Sequence, residues 1–571
     1  MSIEGKGGYV PAGLDATDWE AVAPLARGLA EREVADASAL RSWLEDRSEF
    51  EAACSEAEAD LYIAMTCRTD DEATVGAYTR FVETIPPRLR PIDQALDVKQ
   101  CGLIDRLGGA GAGERLHVLD RDARAGVEIY RDANVPLFTE LTLLGQRYDR
   151  ISGEQTVVFD GAERTLAQMS RYLESPDRAV RESAWRASAE RRLRDREALD
   201  GLYDEILGVR DRVAKHAGFA SFRDYAFREK RRFDYGVREC EAFHDACERV
   251  AAPAARRLDE RRARALGVGG LRPWDLSVDV KGREPLRPFA SAEDLVEKCG
   301  RVFRRLDGEL AARFESLREG GCLDLDSRKG KAPGGYQYMR DRSRRPFIFM
   351  NAAGLHRDVR TMVHEAGHAF HSLLCAGEPL VRYRHSPIEF AEVASMAMEM
   401  LTMPYWGEFY ADEAEAARAR REQMESVLGL LPWVATVDAF QHWAHRMVGH
   451  TREERRTFWL GLDERFGRRI DWEGLGEARG SAWQRQPHLF TSPFYYIEYG
   501  IAQLGALQLW LVSKERGEAE AVERYKAGLR LGGSRPLPEL FAAAGLRFEF
   551  GADVVSRLVE RVEREVEALP D

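Results

Sequence analysis

The chain has 571 residues, a formal net charge of −12 at pH 7, 44% hydrophobic residues and 32% charged residues. That is sequence enough for a large buried core, about three to four domain-sized units, at an ordinary globular composition. The acidic balance argues against nucleic acid or an anionic membrane as the main partner, because both reward Lys/Arg surfaces. Eight cysteines are scattered without a C-x-x-C pair, as expected of reduced thiols in a cytoplasmic protein rather than a disulfide framework. The start, MSIEGKGGYVPAG, has no apolar signal core, and no run of 18 apolar residues offers a membrane span.

After an irregular Gly-rich start, the text from Trp19 to about Ser48 has helical spacing, and Phe50–Cys67 and Thr74–Ile85 read as further helices. Pro86-Pro87 predicts a break. Helices follow over 91–106 and 120–148, then a short strand, Thr156–Phe159, with an Asp160-Gly161 turn behind it. Leu166–His216 and 227–266 are charged helical stretches with many i,i+4 pairs suited to exposed faces. Gly267–Leu286 breaks helix, and Ala292–Leu317 resumes it. Two apolar stretches in Gly320–Asn351, namely Gly335–Met339 and Pro346–Asn351, read as strands joined by Asp341–Arg345. Helical text then runs to the end, so the expected architecture is mainly α with one small β element.

That β element is followed by VHEAGHAFHS, Val363–Ser372, on a helix expected over Arg357–Cys375. His364 and His368 are four apart and share a helix face, so both imidazoles can reach one metal ion, with Glu365 beside its water. This H-E-x-x-H spacing is the zinc-hydrolase arrangement. Zinc needs a third protein ligand, and the segment Ser386–Met403 offers Glu389, Glu392 and Glu399. Ser386 as N-cap, Pro387 at N1 and Glu389 at N3 read as a capping box, which commits Glu389 to the helix start. Glu392 and Glu399, seven apart, share a face; Glu392 is favoured as the ligand and Glu399 as the carboxylate orienting a ligand imidazole. His371 is either a further residue behind the metal site or a core histidine.

Downstream, HLFTSPFYYIEYGIAQLGALQ, His488–Gln508, carries Tyr495, Tyr496 and Tyr499. The pattern alone fits an aromatic stripe in the core. It also offers donors to an oxyanion. Phe347 and Phe349 lie on a strand whose edge either holds a substrate backbone or is consumed by the sheet. Gly334 and Gly335 form a mobile loop over substrate or a turn needing positive φ. His442, His445 and His450 lie close in sequence, but no nearby Cys or carboxylate is expected to complete a ligand set with them. There is no P-loop, dinucleotide fingerprint or G-x-S-x-G elbow.

HEAGHAFH followed by FAEVASMAMEM resembles the thimet oligopeptidase and oligoendopeptidase F family of zinc metallopeptidases, nearest its oligoendopeptidase F and Pz-peptidase branch. The likeness covers about residues 200–571; the N-terminal third matches only in being helical. It implies a two-lobed helical zincin-type fold with a small β-sheet beside the H-E-x-x-H helix and a deep substrate channel. Residues 1–200 would form one channel wall and 201–571 the catalytic region, with the metal site in 357–403 and the oxyanion segment in 488–508. It implies one Zn ion on His364, His368 and Glu392, with Glu365 as general base. Tyr499 becomes the first oxyanion donor, with Tyr496, His488 and Tyr495 behind it, and Phe347, Phe349, Gly334 and Gly335 become substrate-binding. The expected activity is endopeptidase cleavage of short unstructured oligopeptides by a monomer or small homo-oligomer. The alternatives are a zinc carboxypeptidase or dipeptidase, or an inactive helical peptide-binding protein.

Overall fold

The computed structural model describes residues 8–107 and 109–570, with the side chains of 109–113 left out. The chain is mainly helical and has two hydrophobic cores. The smaller core is built from residues between Val10 and Leu119, joined by Leu380 and Tyr383. Ile129, Leu144 and Leu199 already belong to the larger one. The cores interleave in sequence, because Ile63 belongs to the larger one while Leu380 and Tyr383 belong to the smaller.

Within the smaller core, Glu72–Leu107 is one helix despite Pro86, Pro87 and Pro91 inside it. The expected break at Pro86-Pro87 is absent. Tyr78, Phe81, Val82, Ile85, Leu89 and Leu96 bury one face on both sides of the prolines, and that packing outweighs the cost of the missing hydrogen bonds.

Among the described residues there are five strands. β1 (Thr156–Phe159) and β2 (Ala162–Thr165) form a hairpin across Asp160-Gly161. The second sheet contains β3 (Leu323–Asp326), β4 (Tyr336–Arg340) and β5 (Arg345–Ala352) in the order β3-β5-β4. β5 pairs with β4 antiparallel and with β3 parallel. Sequence alone offered no sign of β3. Its pairing brings a strand onto β5 that the hairpin reading did not contain.

The helix Ala37–Cys67 fastens the smaller core to this sheet. Thr66 Oγ1 lies 2.6 Å from the Tyr336 hydroxyl, and the Ala332 N–H donates to Thr66 O at 2.8 Å. Arg340 Nε donates to Asp60 at 2.5 Å, and the Tyr62 ring packs 5.6 and 5.5 Å from those of Tyr336 and Tyr338.

Three helices carry the site: the motif helix His356–Leu374, the glutamate helix Ile388–Thr402 and the tyrosine helix Tyr496–Arg516. The glutamate helix packs against both of the others.

Candidate active site

The motif helix starts directly after β5. Asp358 accepts hydrogen bonds from the Ala353 and Leu355 N–H groups at 2.7 and 2.9 Å, which pins the turn between strand and helix. Val359, Met362, Val363, Ala366 and Phe370 bury one face. The other face presents His364 and His368 to the glutamate helix. Gly367 makes this approach possible: a Cβ there would lie 2.5 Å from Ala394 O and 2.6 Å from Ser395 Cα. Backbone meets backbone at that point, so only glycine fits.

The close approach brings His364, His368 and Glu392 together, with one ligand atom from each within 4.8 Å of the others. His364 Nε2 is 3.3 Å and His368 Nε2 is 3.4 Å from the same oxygen, Glu392 Oε2. A tetrahedral ion with bonds of about 2.0–2.1 Å spaces its ligand atoms about 3.3–3.4 Å apart, so this donor set suits a small divalent cation. Glu399 Oε1 lies 2.8 Å from His364 Nδ1. That contact needs the proton on Nδ1 and leaves the Nε2 lone pair free for metal. Glu399 Oε2 accepts in turn from Gln423 Nε2 at 3.0 Å. Ser395 donates to Glu392 Oε2 at 2.8 Å, a contact that sequence reasoning missed although the Ser falls three residues after the Glu.

Burial pushes the Glu392 carboxyl up, but the adjacent imidazoles of His368 and His364 hold it well below the usual range. Glu365, only 5% exposed, goes the other way: burial raises it, against the pull of His364 and His368. A raised carboxylate holds a proton more readily than a free one, which suits a residue that takes up a proton and passes it on.

Tyr495 donates to Glu392 Oε1 at 2.5 Å. Gln486 Nε2 donates to His488 Nδ1 at 3.0 Å, so a neutral His488 carries its proton on Nε2, 3.2 Å from the Tyr499 oxygen. Tyr499 then accepts from His488 and keeps its own O–H to donate. Burial lowers His488 to about 4, so it is neutral at pH 7. Burial, reinforced by Glu392, raises both Tyr495 and Tyr499 well above a normal phenol. Tyr496 is turned elsewhere, its hydroxyl accepting from Trp433 Nε1 at 3.3 Å. The residue before these tyrosines, Phe494, has φ +60°; its N–H donates to Gln441 Oε1 at 2.6 Å and its carbonyl accepts from Arg232.

Two sequence expectations need correction, and two open alternatives are narrowed. The capping box is absent: the glutamate helix begins at Ile388 without a side-chain cap, Ser386 Oγ is unpartnered, and Glu389 accepts from the Tyr235 hydroxyl at 2.5 Å. A partner 154 positions away in sequence has claimed the carboxylate that local pattern assigned to the cap. His371 makes no hydrogen bond to a ligand; its buried ring packs 6.1 Å from Phe390, and burial lowers it to about 3. β5 offers no free edge, because it is paired on both sides and Phe347 and Phe349 are buried. The sheet edge nearest the motif helix is β4, where Gly334 has φ +94° and a Cβ on Gly335 would lie 3.6 Å from Glu365 Oε1. Finally, His442 does have a carboxylate and a thiol beside it, Asp438 and Cys240, whereas His445 bonds Gln441 O at 2.8 Å and His450 bonds Met447 O at 2.7 Å.

Two imidazoles from an H-E-x-x-H helix, converging with a carboxylate of a second helix and faced by phenols, form a candidate metal centre in a mainly helical fold. The chain belongs to peptidase family M3, whose profile matches residues 171–560. It is 26% identical over 259 residues to an oligoendopeptidase F homologue of Borreliella burgdorferi, covering 43% of this chain and 42% of that protein. It is 26% identical over 277 residues to the oligopeptidase PepF of Bacillus subtilis, covering 45% of this chain and 40% of that one. The matched part thus spans less than half the length of these curated relatives. The whole fold is similar to a structure of Pz peptidase A with an inhibitor, at TM-score 0.93 and 27% identity, over 97% of this chain and 98% of the other. Among the described residues, no helix is long and apolar enough to cross a membrane.

Proposed function

We propose that this chain is a zinc-dependent endopeptidase acting on short, unstructured oligopeptides. The observation that carries the reading is the convergence of His364 and His368 on one oxygen of Glu392, at 3.3 and 3.4 Å. These three residues would hold the ion, which when bound supplies a Lewis acid that polarises the scissile carbonyl and acidifies a water.

The chain's own residues do the rest. Glu399 fixes the His364 tautomer, and Tyr495 and Ser395 fix the two oxygens of Glu392. Glu365 takes the proton of the attacking water and delivers it to the leaving amine. Tyr499, protonated and oriented by His488, donates to the developing oxyanion. Gly335 lets the start of β4 run close to Glu365, so the free edge of β4 is where a peptide backbone would lie. Backbone pairing of that kind reads main chain and is tolerant of side chains.

The test is turnover of a quenched fluorescent decapeptide, with product mapping. Cleavage at internal bonds, abolished by chelator, restored by zinc and lost in Glu365→Gln, is the expected result. Undiminished turnover by Glu365→Gln would sink the mechanism, and release of single C-terminal residues would replace endopeptidase by carboxypeptidase.

A further inference from the structure

Away from the catalytic site, Cys240, Asp438 and His442 bring one ligand atom each to within 4.8 Å of one another. They lie on two facing helices, each offering a pair four residues apart. Val237–Ala246 carries Cys240 and His244, and Glu413–Arg446 carries Asp438 and His442. Residues at that spacing share a helix face, so the four side chains point into one seam. Cys240 and Asp438 are fully buried, His244 is 5% exposed and His442 6%. The His244 N–H donates to Asp438 Oδ2 at 2.8 Å, and His442 Nε2 is 3.3 Å from the same oxygen. The two imidazoles stand 5.8 Å apart at 87°, much as His364 and His368 stand 5.0 Å apart at 81°.

An ordinary core ion pair between His244 and Asp438 accounts for only part of this. It leaves both ring nitrogens of His442 buried without a hydrogen bond, a costly state for a polar group. It also gives no reason for a thiol to stand within 4.8 Å of both the carboxylate and the second imidazole. A divalent ion resolves both: thiolate and carboxylate cancel its charge, and His442 gains a partner. The three ligand atoms, within 4.8 Å of one another, would have to draw in around one ion to bonding distances of about 2.0–2.3 Å.

We propose that Cys240, Asp438 and His442, with the His244 N–H holding the Asp438 carboxylate, form a buried structural site for one divalent transition-metal ion of the zinc class. The thiolate and imidazole select such an ion over magnesium or calcium. The ion would clamp the two helices together. It would also anchor the tyrosine segment, because Gln441 donates to Asp438 Oδ1 at 2.9 Å and accepts from the Phe494 N–H at 2.6 Å.

The site is tested without relying on catalysis. Protein is purified from cells grown in cobalt-supplemented medium, and its metal content and near-ultraviolet absorption are measured. The catalytic ligand set contains no cysteine, so a thiolate-to-cobalt charge-transfer band that is present in the wild type and absent from the Cys240→Ser/His442→Ala chain reports the buried set. Expected are two ions per chain in the wild type, and one ion with the band retained in the His364→Ala/His368→Ala chain. Cys240→Ser/His442→Ala should keep one ion and lose the band. A His364→Ala/His368→Ala chain without metal, or a wild-type protein without the band, overturns the proposal. Those two measurements can overturn it even where the Cys240→Ser/His442→Ala chain does not fold.

Discussion

Tyr495 hydrogen-bonds Glu392 Oε1 at 2.5 Å, so one carboxylate faces a phenol with one oxygen and two imidazoles with the other. Tyr499, four residues on, points its oxygen at His488 instead. The two phenols should therefore fail differently. Tyr495→Phe is expected to weaken zinc binding by about 10–100-fold, as loss of a partner behind a metal ligand does. Tyr499→Phe is expected to lower kcat by about 100–1,000-fold with zinc affinity and KM little changed. Competition with a calibrated chelator and steady-state kinetics on both variants separate the roles; equal zinc affinities in the two would refute the assignment.

Glu399 holds the His364 tautomer, and its removal frees the ring to turn. Glu399→Ala is expected to cost about 10–100-fold in zinc affinity. At saturating zinc most of the activity should return, because the base and the phenols are untouched. A variant that stays inactive at full zinc occupancy would give Glu399 a role beyond holding the ring.

A Gly367→Ala change would set a methyl against the Ala394 carbonyl at 2.5 Å. Backbone cannot yield as a side-chain tip does, so the glutamate helix must move. The expected loss of stability is about 1–3 kcal/mol, the usual range for overpacking. Zinc content should fall in parallel, because Glu392 rides on the displaced helix. Denaturant unfolding and metal analysis on the same preparation check both halves.

His371 is 5% exposed, and its folded-state value of about 3 lies below that of a free imidazole. As pH falls, the unfolded chain takes up this proton first, so the contribution to stability is full above about 6.5 and is lost progressively below it. From pH 7 to pH 5 the loss is about 2 kcal/mol from this residue. His371→Gln cannot titrate and should show a pH dependence weaker by that amount, measured by denaturant unfolding in chelator at both pH values. Parallel pH dependences in the two proteins would count against a buried neutral His371.

Much of the site was legible because it is local. The positions of His364, Glu365 and His368 follow from the helical period alone, and the shared face of Glu392 and Glu399 from a seven-residue spacing. What escaped depends on chain brought from afar. Glu389 was assigned to a cap that Tyr235 pre-empts. The sequence leaves open whether the edge of β5 is free, and β3, from beyond the hairpin, covers it. Asp438 lay four residues before His442 in plain sight, but only the folded helices bring Cys240 to it. In the tyrosine segment the residue types were legible and the register was not, because Phe494 turns the chain at positive φ just before the helix starts.

The contacts of the helix Ala37–Cys67 with β4 give the N-terminal part of the chain a share in the chemistry it does not perform. Thr66, Asp60 and Tyr62 hold the strand that passes beside Glu365. A chain expressed from residue 120 onward would keep every proposed ligand and yet lose the brace on the strand that passes beside Glu365. The two cores are thus one working unit, divided in packing but not in purpose.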